Sequence, residues 1–195
     1  MSFAQEWASW MSPSKLDLSN PPKAGDSAPS TNQLKFPRAD GKPVVVTFLR
    51  HCGCPFAEKT FLVLRAAASK HPHIAFVAVS HSSESHTQKW VSEVGGLGDV
   101  NPIQVITNED RSLYAKWGLG TSSFMHVLNP HDLYNVFTLA SAEGITNRPT
   151  ESGNRWQTSG TWVVDKQGKV TWGGPSKSAS EIPDVESAVA TISSN

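Results

Sequence analysis

The sequence predicts an α/β fold, a central mixed β-sheet flanked by helices. Three observations predict it. Short apolar runs at Val44–Leu49, Ile74–Val79 and Ile103–Thr107 alternate with stretches of helical periodicity. A hairpin pattern follows, with Thr161–Val164 and Lys169–Trp172 on either side of an Asp165-Lys166-Gln167-Gly168 turn. A closing amphipathic stretch, Ser180–Ser193, then carries Ile182, Val185, Val189 and Ile192 on one face.

Taken in order, residues 1–11 can form a short helix with Phe3, Trp7, Trp10 and Met11 on one side. It is too short to stand alone and must dock on this chain or on a partner. Residues 12–43 hold six of the thirteen prolines and read as an irregular wrap, with room for a short hairpin ending at Ala39-Asp40-Gly41-Lys42. Residues 1–21 are therefore expected to be an aromatic extension, and 22–195 one domain carrying a long inserted segment at 119–158. In Val44–Leu49 only Thr47 is polar, as in a strand buried on both faces. Pro55 stands where a first helical turn accepts proline, and helical spacing continues to His71-Pro72. A second helix is expected over Glu84–Val94, with Ser83 as its N-cap and Gly95-Gly96 as its stop. A short helix is expected over Asp110–Trp117, and another over His131–Ala142 within the inserted segment. The polar run at 147–160 that follows is long for a compact domain, and loops of that length are usually functional.

Composition narrows the function. Lys plus Arg and Asp plus Glu are 17 each, so nothing points to nucleic acid or an anionic membrane as partner. Two cysteines in 195 residues do not make a disulfide scaffold. No apolar run approaches the ~20 residues a membrane span needs. The first residues lack a basic region followed by an apolar one, so no signal peptide is expected. The expected setting is cytoplasmic. His71 and His73, and His81 and His86, have no Cys or carboxylate at ligand spacing, so they are expected to be solvated or capping and no metal site is expected. No cofactor is expected either.

Both cysteines lie in His51-Cys52-Gly53-Cys54, between the first strand and its helix. Cys54 is thus expected at a helix N-terminus, where unpaired N–H groups and the positive end of the dipole favour a thiolate. Pro55 has no N–H, so the expected donors to the sulfur are Phe56 and Ala57. Arg50 and His51 stand beside it and can add positive charge or a hydrogen bond. Cys52 is two residues away on the turn, where it either pairs with Cys54 or packs.

Three stretches carry a likeness to a known family. Lys23-Ala-Gly-Asp-Ser-Ala-Pro29 with Asp40-Gly41-Lys42, Cys54-Pro55-Phe56-Ala57, and Gly160-Thr-Trp-Val-Val-Asp165 with Gly168-Lys169-Val170 resemble the alkyl hydroperoxide reductase/thiol-specific antioxidant proteins. These form the peroxiredoxin-like branch of the thioredoxin superfamily. The likeness runs over about residues 22–192 and implies a thioredoxin-like fold with a peroxide-reducing Cys at position 54. The sequence departs from the family pattern at several places. Thr47 stands in the place of the motif proline and His51 in that of the motif Thr or Ser. Ala57 stands where many relatives carry a second Cys, and Ser159 where an Arg helps hold the peroxide.

The expected activity is a thiol peroxidase or disulfide oxidoreductase. Its catalytic candidates are Cys54, Cys52, His51 and Arg50. Its candidates for holding substrate are Pro55, Phe56, His126, Arg155, Trp156 and Ser159. A peroxide or an organic thiol or disulfide would be the substrate, and glutathione or thioredoxin the reductant. A homodimer is expected, since the N-terminal aromatic segment and the long loop call for more surface than one small domain offers. A second reading is a non-redox enzyme or carrier for a small organic molecule, lined by Phe124, Met125, Leu128, Tyr134, Phe137 and Trp156. A third is an interaction module that docks through its exposed aromatic residues.

Overall fold

A computed structural model describes residues 7, 9–11, 14–122 and 130–193. Among these, five strands, β1 (Val44–Phe48), β2 (Ala75–Ser80), β3 (Gln104–Thr107), β4 (Gly160–Val164) and β5 (Val170–Pro175), form one sheet in the order β3-β2-β1-β4-β5. Pairing of β1 with β2 and of β2 with β3 is parallel; β4 is antiparallel to both β1 and β5. The helices are α1 (Pro55–Lys70), α2 (Glu84–Glu93), α3 (Ser112–Lys116), α4 (Pro130–Glu143) and α5 (Val185–Ser193). This is the mixed, helix-flanked sheet that the alternating runs imply.

Strand β1 lies at the centre and is buried along its whole length, because both of its neighbours are paired and both of its faces are covered. Val45 and Leu49 pack into a cluster with Phe61 and Leu64 of α1, Trp90 of α2 and Val189 of α5. Val44, Val46 and Phe48 pack on the other face with Leu113 and Tyr114 of α3, Trp117 and Trp162. Trp90, Trp117 and Trp162 are among the largest fully buried side chains, so these tryptophans are core, as their scatter along the sequence suggests. The Tyr114 hydroxyl lies 2.8 Å from the carbonyl oxygens of both Leu49 and Val79, tying together the ends of β1 and β2 where the chain leaves the sheet.

Helix boundaries show where local chemistry overrides periodicity. Helix α2 begins after Ser83, whose Oγ accepts the His86 N–H at 3.4 Å, and it is followed by Gly95 and Gly96, both at positive φ. Helix α3 starts at Ser112 rather than Asp110, because Arg111 is left-handed (φ 58°) and Asp110 turns its carboxylate onto the Ser112 N–H. Helix α5 starts at Val185 rather than Ser180. Pro183 disfavours the helical region for the residue before it, and Asp184 accepts the Ser187 N–H at 3.1 Å. The wrap before β1 contains no hairpin among its described residues; Ser27 instead bridges to Lys169 beside β5.

The described residues Ser9 to Met11 of the aromatic segment at the start of the chain dock on the chain itself. The Trp156 Nε1–H donates to the Trp10 carbonyl at 2.9 Å, and the two indoles meet edge to face with centroids 6.0 Å apart. The Arg155 guanidinium lies 4.7 Å over the Trp10 ring. Part of the surface that this segment needs is thus supplied within one chain.

Candidate active site around Cys54

The sheet positions the site simply. Strand β1 carries the chain out of the core at Leu49, residues 51–54 turn, and α1 starts at Pro55 with Cys54 as its N-cap (φ −84°, ψ 127°). The turn is closed by the Cys54 N–H donating to the His51 carbonyl at 3.0 Å. The Cys54 carbonyl accepts the N–H groups of Ala57 at 3.1 Å and Glu58 at 3.2 Å. The Cys54 side chain makes no cap hydrogen bond. The expectation that Phe56 and Ala57 donate to its sulfur is therefore corrected: the side chain turns into the core cluster with Leu49, Phe56 and Phe61, and only 5% of the residue is exposed. What the helix start offers the sulfur is the field of its first turn, not a direct N–H contact.

Cys52 is in different surroundings. Its Sγ lies 3.5 Å from the Ser80 Oγ and 3.8 Å from the Thr87 Oγ1, and its N–H donates to the Ser82 Oγ at 3.2 Å. Ser80 and Thr87 are themselves 2.9 Å apart. Burial pushes the Cys52 thiol above its usual range, with the hydroxyls of Ser82, Ser80 and Thr87 pulling the other way. Both cysteines are unpaired.

His51 is buried over the turn. Its Nδ1 accepts the Gly53 N–H at 3.2 Å, so the neutral ring carries its proton on Nε2. The Thr150 hydroxyl lies 3.3 Å from the same nitrogen and accepts from the Arg155 guanidinium at 3.0 Å. Burial, then the charges of Arg50 and Arg155, hold His51 well below the usual imidazole range, so it is neutral at pH 7. Arg50 is buried too, and its guanidinium donates to the Arg155 carbonyl at 2.6 Å. Loop residues 145–157 thus lie directly on the turn. A Cβ on Gly53 would meet the Thr150 Oγ1 and would come within 2.7 Å of the Arg148 carbonyl, which is why glycine stands there.

Of the residues singled out from sequence, Arg50, His51, Cys52, Cys54, Pro55 and Arg155 gather around this turn. Phe56 and Ser159 line a cavity of about 10 Å³, room for one water, beneath the first turn of α1 with Thr47, Arg50, Ala57 and Glu181. Ser159 donates to the Ser176 hydroxyl at 3.1 Å. Trp156 belongs to the outer contact with Trp10 rather than to the turn. His126 lies outside the described residues, as do Phe124, Met125 and Leu128. Tyr134 and Phe137, offered as lining for an organic ligand, are 66% and 71% exposed on α4. His81 and His86 are not solvated: both are buried, His81 against Asn154 and His86 against Ser152. His71 lies 3.2 Å from the Glu186 carboxylate. Among the described residues, no group of three or more His, Cys, Asp or Glu could hold a metal ion, and no helix is long and apolar enough to cross a membrane.

Sequence reasoning passed over Thr150, Ser80, Thr87, Glu58 and Arg148. Each reaches the turn or the first turn of α1 through a contact at least 28 residues away in the chain, so no local spacing marks them. A long polar loop after α4 was the one available signal.

A family model described as "AhpC/TSA antioxidant enzyme" matches residues 62–178, more than half of the chain. The chain belongs to that family. The matched stretch starts at Leu62, inside α1 and after Cys54, so membership rests on the body of the domain and not on the cysteine turn. Solved structures agree in fold. A thiol peroxidase from Chromobacterium violaceum superposes with a TM-score of 0.58 at 16% identity, covering 91% of this chain and 90% of that one. Peroxiredoxin 6 of Arenicola marina gives 0.60 at 16% identity, with 88% and 72% covered. A peroxiredoxin-like protein from Aquifex aeolicus gives 0.57 at 13% identity, with 91% and 90% covered. At such identities these similarities show a thioredoxin-like, peroxiredoxin-type fold. A search of curated proteins found no significant match.

Proposed function

We propose that the chain is a peroxiredoxin-like thiol oxidoreductase whose Cys54 reduces peroxides. The observation that carries this reading is the position of Cys54 as the N-cap of the 16-residue helix α1, directly after the fully buried strand β1, in a chain of the AhpC/TSA family. An N-cap sulfur feels the positive end of the helix, which favours the thiolate.

The Cys54 thiolate attacks the outer oxygen of ROOH. An S–O bond forms as the O–O bond breaks, the alkoxide leaves and takes a proton to become ROH, and the sulfur is left as a sulfenic acid. A thiol then condenses with the sulfenic acid, releasing water and forming a disulfide, and a second thiol reduces that disulfide. Ala57 leaves no cysteine three residues on, so the condensing thiol is Cys52 or an external thiol such as glutathione or thioredoxin. A bond between Cys52 and Cys54 closes a small ring, which makes it easy to reduce. Two unpaired cysteines suit a reducing, cytoplasmic setting that supplies such thiols. Arg50, buried beside the turn, is a candidate for the charge that the resemblance places on an Arg at the Ser159 position.

The alternative, a non-redox site for a small organic molecule, is weakened by the outward Tyr134 and Phe137. The deciding experiment is a brief, limiting peroxide pulse followed by peptide mass spectrometry with a sulfenic acid trap. The expected adduct is on Cys54, and Cys54→Ser should reduce peroxide consumption to the background rate. An adduct mainly on Cys52, or on neither cysteine, overturns the assignment.

A further inference from the structure

Every part of the 51–54 turn is covered. His51 is 3% exposed, Cys52 1% and Cys54 5%, yet the turn lies at the end of the sheet, where a reacting thiol must meet small molecules. The stretch 145–157 between α4 and β4 lies on His51 and Gly53 of this turn, next to Cys54, and it is fastened at several separate places. The Arg148 N–H donates to the Gly53 carbonyl at 3.1 Å. The Arg148 guanidinium forms a two-pronged pair with Glu58 in the first turn of α1, at 2.7 and 3.0 Å, and reaches Glu93 of α2 at 3.6 Å. The Ser152 hydroxyl accepts the Ser83 N–H at 2.8 Å and lies 3.0 Å from the His86 ring. The Asn154 N–H donates to His81 at 3.0 Å. The outside of the stretch is held by the N-terminal residues: Asn154 donates to the Met11 carbonyl at 2.6 Å, and Arg155 to the Ser9 hydroxyl at 3.0 Å.

These fastenings are mostly polar. The stretch contributes Ile145 as its buried apolar residue and Trp156 as an outer ring contact with Trp10. Arg148, Thr150, Ser152 and Asn154 hold it through hydrogen bonds, and Arg148 with Glu58 and Glu151 with Lys89 hold it through ion pairs. A segment held in this way opens at far lower cost than the sheet beneath it, whose residues are locked in two apolar clusters.

We propose that residues 145–157 form a strap that lifts from the turn before Cys54 can react, with Arg148 as its principal pin and the N-terminal residues 9–11 as a latch over it. The strap makes thiol reactivity a gated property. The inference rests on Cys54 being the reacting thiol, but its test reads thiol access rather than peroxide turnover, so either can fail without the other.

The test uses the full chain with Cys52→Ser, so that Cys54 alone is read. Its rate of reaction with 5,5′-dithiobis(2-nitrobenzoate) is compared with and without Arg148→Ala, alongside hydrogen exchange of the strap and of β1. The expected result is a rate increase of about tenfold or more for Arg148→Ala, a smaller increase for Ser152→Ala, and none for Lys70→Ala, whose Glu186 pair lies on the surface far along α1. Strap amides should exchange faster in step with the thiol while β1 amides stay protected. If Arg148→Ala fails to fold, Ser152→Ala and the exchange data on the unaltered strap decide. Strap amides that loosen with no gain in thiol rate overturn the proposal. So does a thiol rate in the unaltered strap that equals that of an open thiol or follows the exchange of β1.

Discussion

Two thiols two residues apart share one apolar cluster but differ in what else acts on them. Cys54 belongs to the end of a helix; Cys52 belongs to a nest of hydroxyls between β2 and α2, formed by Ser80, Ser82 and Thr87. The helix end acts on Cys54 through a field that no side chain of the chain needs to supply. The nest acts on Cys52 through specific oxygens, and burial outweighs them, leaving that thiol harder to ionise. The comparison teaches why the second cysteine need not compete with the first. Burial keeps Cys52 as the thiol, and because the attacking species in disulfide formation is the thiolate, Cys52 enters slowly and after the first oxidation.

The largest expected effect follows from removing that late partner. Cys52→Ser should leave the first oxidation of Cys54 intact and then let sulfinic acid accumulate over repeated turnovers, because the internal thiol that could capture the sulfenic acid is gone. Intact-protein mass spectrometry during continuous peroxide exposure checks it. Equal sulfinic acid in the parent and in Cys52→Ser would mean that resolution comes from outside the chain.

A second effect separates the turn from the nest by pH. His51, over the turn, and His81, beneath the strap, are both buried and neutral; burial holds His81 at about 4. An unfolded imidazole takes up its proton near pH 6.5, so between pH 6.5 and 4 the unfolded chain binds protons that the native chain refuses. Stability is therefore complete above pH 6.5 and falls as pH is lowered through this window, by about 3 kcal/mol for His81, with His51 acting in the same direction. Thermal unfolding measured from pH 7 to 4 should show the slope, and His81→Gln should flatten it. The strap should loosen first, since both rings face it: Asn154 contacts His81 and Thr150 contacts His51.

How much of this was legible in the sequence follows the range of each interaction. The five strands, the helix after the turn and the N-cap place of Cys54 are set by neighbours in the chain, and the sequence reads them to within a residue, except that β5 runs three residues past Trp172. The starts of α3 and α5 were misplaced because Arg111 in the left-handed region and Pro183 interrupt otherwise helical spacing. The nest and the strap are invisible to any local pattern. Ser80 and Thr87 flank a strand and a helix that each read as ordinary. Thr150 gains its meaning only because Gly53, nearly a hundred residues earlier, leaves space for it. The missing cap bond also escaped: an N-cap position implies a capping side chain for Ser or Asp, but Cys54 makes no cap hydrogen bond and is buried in the apolar cluster instead.

The smallest effect isolates the nest itself. Thr87→Val keeps the shape of the side chain and removes one hydroxyl. That hydroxyl lies 3.8 Å from the Cys52 sulfur, 2.9 Å from Ser80 and 3.3 Å from the Ser82 carbonyl to which it donates. Its loss leaves the Ser82 carbonyl one donor short and costs about 1 kcal/mol, the net worth of a neutral buried hydrogen bond. It also removes one of the three hydroxyls that pull the Cys52 thiol down, so that thiol should become harder still to ionise. Cys54 shares none of these oxygens. Thr87→Val should therefore slow the formation of any bond between Cys52 and Cys54 by a few-fold, on the scale of the ~1.4 kcal/mol per tenfold relation, and leave the first oxidation of Cys54 unchanged. Rapid-quench alkylation after a single peroxide equivalent resolves the two steps. If the first step slows as much as the second, the two thiols share one environment and the contrast between helix end and hydroxyl nest does not govern their order.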